Sequence, residues 1–254
     1  MGVSAATEKF LRSHLNTQSP APLLHLRRKW RYNSLAIPVQ HRLVDGFAVA
    51  KESEALMAQH VATEQLTITD WVKGLAAIPG RDFTLENVQD YIIRHSARPE
   101  TLDKYCYFSK GNYTRNLIFK NEVFECMTIC WEIGQASRIH NHRDQNCWMS
   151  APIGRLKVQN FRVDDRDSAR GTCRIIPTEI YEMDATHPAY VNPLEPVHQV
   201  LNLAEFRQRA VSIHIYSKPF DTCEVYLREK GTYGDVPLHY TSEYGKLNPA
   251  EKLL

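Results

Sequence analysis

The sequence predicts a mainly β protein, a β-barrel or sandwich with helices packed at its N-terminal side. Two changes of texture carry that prediction. Between about residues 67 and 99 apolar residues recur at helical spacing. After about residue 105 the chain breaks into short runs rich in Val, Ile, Tyr and Phe, separated by turn signals. A third observation bounds the size: 254 residues suffice for one generous domain, or for a domain with an appendage.

Residues 1–45 carry scattered prolines and no sustained period, so they read as an N-terminal extension. Their only acids are Glu8 and Asp45. The cluster "LRRKWRY" (Leu26 to Tyr32) fits either a basic patch or part of an organellar presequence, and the plainer reading is a solvated, flexible arm. Ala6 breaks the myristoylation pattern. Residues 46–254 read as one domain, helical over about 46–104 and β over about 105–235. Helical texture begins in "DGFAVAKESEALMAQHVATEQL" (45–66). It continues in "TDWVKGLAAIPG", with Trp71, Val72, Leu75 and Ile78 apolar and a stop at Pro79-Gly80. "TLENVQDYIIRHSARP" repeats it with Leu85, Val88 and Ile92, opened by Thr84 and closed before Pro99. Five strand-like runs follow, with Asp164-Asp165 and Asn202 to Glu205 read as connections. Many short strands at regular spacing argue for a sandwich or small barrel.

Composition excludes several function classes. Hydrophobic content of 43% and charged content of 24% are ordinary for a soluble globular protein. A net charge of +2 gives no reason to expect nucleic acid or an anionic membrane as partner. No apolar run approaches the roughly 18 to 20 residues needed to span a bilayer. The N-terminus lacks a continuous apolar stretch, so a secretory signal is not expected. The six cysteines form no CxxC pair, which fits a reduced, cytoplasmic setting, and the sequon at Asn112-Tyr113-Thr114 then reads as accidental.

The stretch "RIHNHRDQNCW" (138–148) points to a metal site. Two histidines at i and i+2 share a face on a strand but not on a helix, so His140 and His142 can meet one ion if 137–142 is extended. Among 11 histidines such a pair alone is a weak signal. A third ligand must come from elsewhere, and His198 in "PVHQVLN" and His214 in "SIHIYS" compete for the place.

Spacing strengthens the signal. Gly134, five residues, His140-Asn141-His142, four residues, Cys147, six residues and Gly154 resemble the first motif of the cupin superfamily. Cys147 stands where most cupins carry a glutamate ligand. His198 and Asn202, with three residues between them, match the end of the second motif, and Pro193 fits while Glu195 replaces the usual glycine. The resemblance implies a cupin-type jelly-roll barrel and selects His198. Three neutral imidazoles leave a divalent ion's charge uncompensated, which favours an anionic ligand from the substrate, for instance a thiolate.

"SIHIYS" puts Ser212, His214 and Tyr216 on one strand face and Val211, Ile213 and Ile215 on the other. Periodicity leaves open which row faces the core. Together "NYTRNL", "HNHRDQNC", "VHQVLN" and "SIHIYSKPFDTC", in this order over roughly residues 67 to 230, resemble eukaryotic-type cysteine dioxygenase, a thiol dioxygenase. That resemblance implies one iron(II) per chain on His140, His142 and His198. It also implies a thioether between Cys147 and Tyr216, with Ser212 and His214 orienting Tyr216. Arg115 would pair with the substrate carboxylate with Tyr113 nearby, and Cys223 matches a cysteine close to the pocket entrance. The implied reaction adds both atoms of the co-substrate dioxygen to the sulfur of L-cysteine, giving cysteine sulfinate in cysteine catabolism towards taurine. A monomer with a small-molecule substrate is expected, with no nucleic acid or membrane partner.

Three features depart from that family. Ser217-Lys218-Pro219 stands where the family usually has Ser-Pro-Pro with a cis peptide before the first proline, so the geometry there is open. Asn141 replaces a common aspartate, and the N-terminal extension exceeds the usual length. Rival readings are a 3-mercaptopropionate enzyme, which usually lacks the crosslink cysteine, a cysteamine enzyme, which would have no carboxylate for Arg115, a zinc hydrolase or isomerase, and a non-catalytic metal-binding cupin.

Overall fold

The computed structural model describes residues 64–191 and 196–249. The N-terminal extension, the helical reading of 45–63, Pro193 and Glu195 lie outside these residues. The last three residues of the 45–66 helical run are corrected. Glu64–Leu66 form strand β1, paired in parallel with β2 (His95–Ala97).

Helix α1 (Ile68–Ala76) starts where Thr67 accepts the Asp70 amide proton at 3.1 Å, and it buries Ile68, Trp71, Val72 and Leu75. Helix α2 (Leu85–Arg94) starts at Thr84, which accepts from the Asn87 amide, and buries Val88 and Ile92. It ends at Arg94 and does not run on towards Pro99. His95–Ala97 gain parallel pairing with β1, and the Arg98 amide donates to Leu66 O at 2.8 Å. Non-local pairing here outweighs the helical pattern.

The remaining strands are β3 (Thr114–Lys120), β4 (Glu125–Trp131), β5 (Ile139–His140), β6 (Asn146–Ile153), β7 (Leu156–Asp167), β8 (Thr172–Met183), β9 (Ala189–Tyr190), β10 (Val197–Leu201), β11 (Ala210–Ser217), β12 (Thr222–Leu227), β13 (Thr232–Pro237), β14 (Ser242–Glu243) and β15 (Lys246–Leu247). One set closes into a barrel in the order β10-β5-β12-β13-β8-β7. The other is a sheet ordered β15-β14-β3-β4-β11-β6-β9. The mainly β, cupin-type class expected from the sequence is therefore the class observed. Asp164-Asp165 is not a connection. It sits inside β7 at a register irregularity, where Asp164 pairs with Arg162 and Arg174, and the turn falls at 168–171.

The long sheet is covered on both faces, so every residue of β4 is buried. Cys126 and Cys130 join the apolar cluster that includes Trp71, Leu75 and Val88 from the helices. Met127, Ile129 and Trp131 join a second cluster with Leu156, Val158 and Met183. Two motif positions explain themselves in this frame. Gly154 has φ +75°, and a Cβ there would meet Arg209 O at 2.7 Å. The buried Asn202 side chain donates to the carbonyls of Trp131, Glu132 and Gln208, tying together the loops after β4 and β10.

Candidate metal centre

His140 is brought to His198 by sheet pairing, since the two are register partners across β5 and β10. The extended segment is shorter than 137–142. β5 ends at His140, although the Asn141 amide still donates to Glu224 O at 3.0 Å. The chain then turns through Arg143 and Asp144, both at positive φ. That turn leaves His142 facing the other two rings. Ring centroids lie 5.0 Å apart for His140–His142, 4.6 Å for His140–His198 and 4.8 Å for His142–His198. One ligand atom from each ring can be chosen so that all lie within 4.8 Å of one another.

The donor set fits a metal ion. The His140 Nδ1 faces Arg138 O at 2.8 Å, which directs its Nε2 lone pair elsewhere. Both ring nitrogens of His142 and Nε2 of His198 are buried with no hydrogen-bond partner among the described residues. Orphaned nitrogens are costly unless something accepts their lone pairs. Burial also holds the rings neutral: His140 is lowered to about 4, and His142 and His198 are lowered well below the ordinary value. Neutral imidazole is the form that binds metal.

His214, the competing third ligand, is engaged elsewhere. Its Nε2 lies 2.9 Å from Ser212 Oγ and its Nδ1 lies 3.0 Å from Tyr216 Oη. Trp131 Nε1 donates to Ser212 Oγ at 2.9 Å. Every donor in this row is matched when Ser212 donates to Nε2 and Nδ1–H donates to Tyr216 Oη, leaving the Tyr216 proton free for the cavity. Burial lowers His214 to about 3, helped by the Arg115 charge, which keeps the ring neutral as that arrangement requires. Neither face of β11 looks out to solvent. Both are buried, the polar row towards the histidines and the aliphatic row towards the helices.

Tyr216 is the register partner of Cys147 across β11 and β6, and both are buried. Burial raises the Tyr216 phenol and the Cys147 thiol well above their ordinary values, against the opposing pull of Arg115. Tyr113 stacks on Trp131 with centroids 4.7 Å apart. Arg115 points its guanidinium towards the rings of Tyr216 and Tyr240, and its buried Nε and Nη2 have no partner among the described residues. A cavity of about 560 Å³ is lined by Tyr113, Arg115, His140, His142, His214 and Tyr216, with Cys223 also on its wall. Sequence reasoning missed Trp131, Tyr240 and the wall residue Phe220. Ser217-Lys218 is cis, with the Lys218 amide donating to Gln145 Oε1. Asn141 Nδ2 donates to Tyr226 Oη at 3.1 Å.

A family model described as cysteine dioxygenase type I matches residues 53–229. The chain belongs to the cysteine dioxygenase type I family. Cysteine dioxygenase type 1 of Danio rerio is 31% identical over 197 residues, covering 77% of this chain and 96% of that protein. The Homo sapiens protein of the same name is 29% identical, covering 76% and 95%. A solved structure from Klebsiella pneumoniae, an uncharacterized conserved protein with a double-stranded β-helix domain, has a TM-score of 0.37 at 13% identity, covering 54% of this chain and 87% of that one. As a member of the cysteine dioxygenase family the chain is an enzyme, and the non-catalytic cupin reading falls away.

Proposed function

We propose that this enzyme oxidises L-cysteine with dioxygen to cysteine sulfinate, using one iron(II) per chain on His140, His142 and His198. The observation that carries the reading is the meeting of two unmet needs in one cavity. The imidazole nitrogens of His142 and His198 and the guanidinium edge of Arg115 have no partner among the described residues, and His142 and Arg115 line the same cavity. A small molecule with a metal-binding thiolate and a carboxylate answers both.

Iron(II), when bound, supplies the redox chemistry that activates dioxygen. The chain's own residues bind and orient. Arg115 clamps the carboxylate with its planar fork, and Tyr113, stacked on Trp131, closes that side of the cavity. Tyr216 holds a phenolic proton facing the reacting atoms, its orientation fixed through His214, Ser212 and Trp131. A thioether from Cys147 to Tyr216 would lock the ring further, and the register of β6 and β11 places the two residues opposite each other. Apolar neighbours such as Phe220 restrict water. A monomeric, cytoplasmic protein on the route towards taurine belongs to the same proposal.

The test is anaerobic loading with iron(II), then oxygen with L-cysteine, cysteamine or 3-mercaptopropionate in parallel. The expected product is L-cysteine heavier by two oxygen atoms, formed in strong preference to the other products. Preference for 3-mercaptopropionate would overturn the substrate, and no oxidation of any thiol by the iron-loaded protein would overturn the reaction.

A further inference from the structure

Near Arg115 lies a buried carboxylate that the proposed reaction does not use. Glu125, at the start of β4, is 0% exposed. Its Oε1 has no partner among the described residues, while its Oε2 accepts from the Tyr240 hydroxyl. Lys120 Nζ stands 3.6 Å from that oxygen and donates to Tyr240 Oη at 3.2 Å. Glu125 and Lys120 therefore grip one phenol between them. A carboxylate is seldom buried unless it is paired, and here its pairing fixes a ring.

The gripped ring borders Arg115. Arg115 Cζ lies 5.8 Å from the Tyr240 centroid and 6.0 Å from that of Tyr216, so aromatic rings adjoin the guanidinium. The backbone of Arg115 is tied to the same segment, between β13 and β14. The Thr241 amide donates to Arg115 O at 2.7 Å, the Arg115 amide donates to Thr241 Oγ1 at 3.3 Å, and Asn248 Nδ2 donates to Tyr240 O at 2.7 Å. Because Nε and Nη2 of Arg115 have no partner among the described residues, no hydrogen bond from them to those residues aims the fork. Ring faces attract a guanidinium and limit its rotamers, which prepares the fork for a carboxylate.

We infer that Tyr240 is a positioning residue for Arg115, held by the buried Glu125 carboxylate, and that this pair sets the affinity for the carboxylate end of the thiol substrate. The inference rests on the reading of Arg115 given above. It assigns a role to the segment after β13, which none of the sequence motifs reaches.

The test is the dissociation constant of L-cysteine, and of cysteamine as its carboxylate-free counterpart, for the iron(II)-loaded full chain, measured anaerobically by calorimetry. Tyr240→Phe and Glu125→Ala should each weaken L-cysteine about tenfold and leave cysteamine within about twofold. Combined, they should weaken it no further than either alone, because they break one unit. Glu125→Gln, whose amide oxygen can still accept the phenol proton, should retain most of the affinity. Arg115→Lys is the reference and should weaken L-cysteine alone. The inference is overturned if Arg115→Lys behaves so while Tyr240→Phe and Glu125→Ala leave L-cysteine unchanged, or weaken both thiols alike. If Arg115→Lys leaves L-cysteine unchanged, the reading of Arg115 fails first. Should Tyr240→Phe not fold because it strands the carboxylate, the Tyr240→Phe/Glu125→Gln variant removes charge and hydroxyl together and faces the same criteria.

Discussion

Strand β11 is buried on both faces, and its two faces solve different problems. Val211, Ile213 and Ile215 join the apolar cluster with Trp71, Leu75 and Trp148, where shape and volume are the only demands. Ser212, His214 and Tyr216 point the other way, and there each polar atom needs a named partner. The lesson is one of substitutability. An aliphatic face tolerates exchange within its volume, whereas a polar buried face is specified atom by atom, and the specification ends at the histidines.

The largest expected effect tests the first half of that comparison. Ile213→Ala should destabilise the fold by about 2 to 4 kcal/mol through the cavity it leaves. Thermal or urea unfolding measures that loss, while activity per folded molecule should stay within about twofold. Next, Tyr216→Phe should cut turnover by roughly a hundredfold through loss of its proton, yet cost only about 1 kcal/mol of stability. Comparable stability losses from Ile213→Ala and Tyr216→Phe, with activity unmoved in both, would break the distinction between the faces. Ser212→Ala sharpens it, because it strands both Trp131 Nε1 and His214 Nε2. About 1 to 2 kcal/mol of stability and about a tenfold drop in rate are expected in paired unfolding and turnover assays. Smallest of all, Lys73→Ala removes an exposed ion pair with Asp70 and should stay within about 0.5 kcal/mol in the same unfolding assay.

Much of this contrast was legible in the sequence. Alternation alone separates Ser212, His214 and Tyr216 from their neighbours, because strand side chains repeat every second residue. It could not say that both rows are buried, since a strand covered on two sides differs from a half-exposed one only in its surroundings. His198 was reached through motif spacing, and the grip of Ser212 and Tyr216 on His214 supplies a physical reason for the choice. Failures cluster where distant pairing decides. The end of α2 at Arg94 depends on β1, and Asp164-Asp165 looked like a turn because its arginine partners on the neighbouring strand could not be foreseen. Trp131 finds Ser212 across 81 residues and Tyr240 finds Glu125 across 115, separations at which no local pattern survives.

The central claim is that His140, His142 and His198 hold one metal ion. Metal analysis after anaerobic titration with iron(II), comparing the wild-type chain with His198→Ala, tests it most directly when thermal unfolding is followed alongside. The account predicts one iron per chain for the wild type, at most trace iron for the variant, and an iron-free variant about as stable as the iron-free wild type. Full iron binding by a folded His198→Ala protein would contradict it.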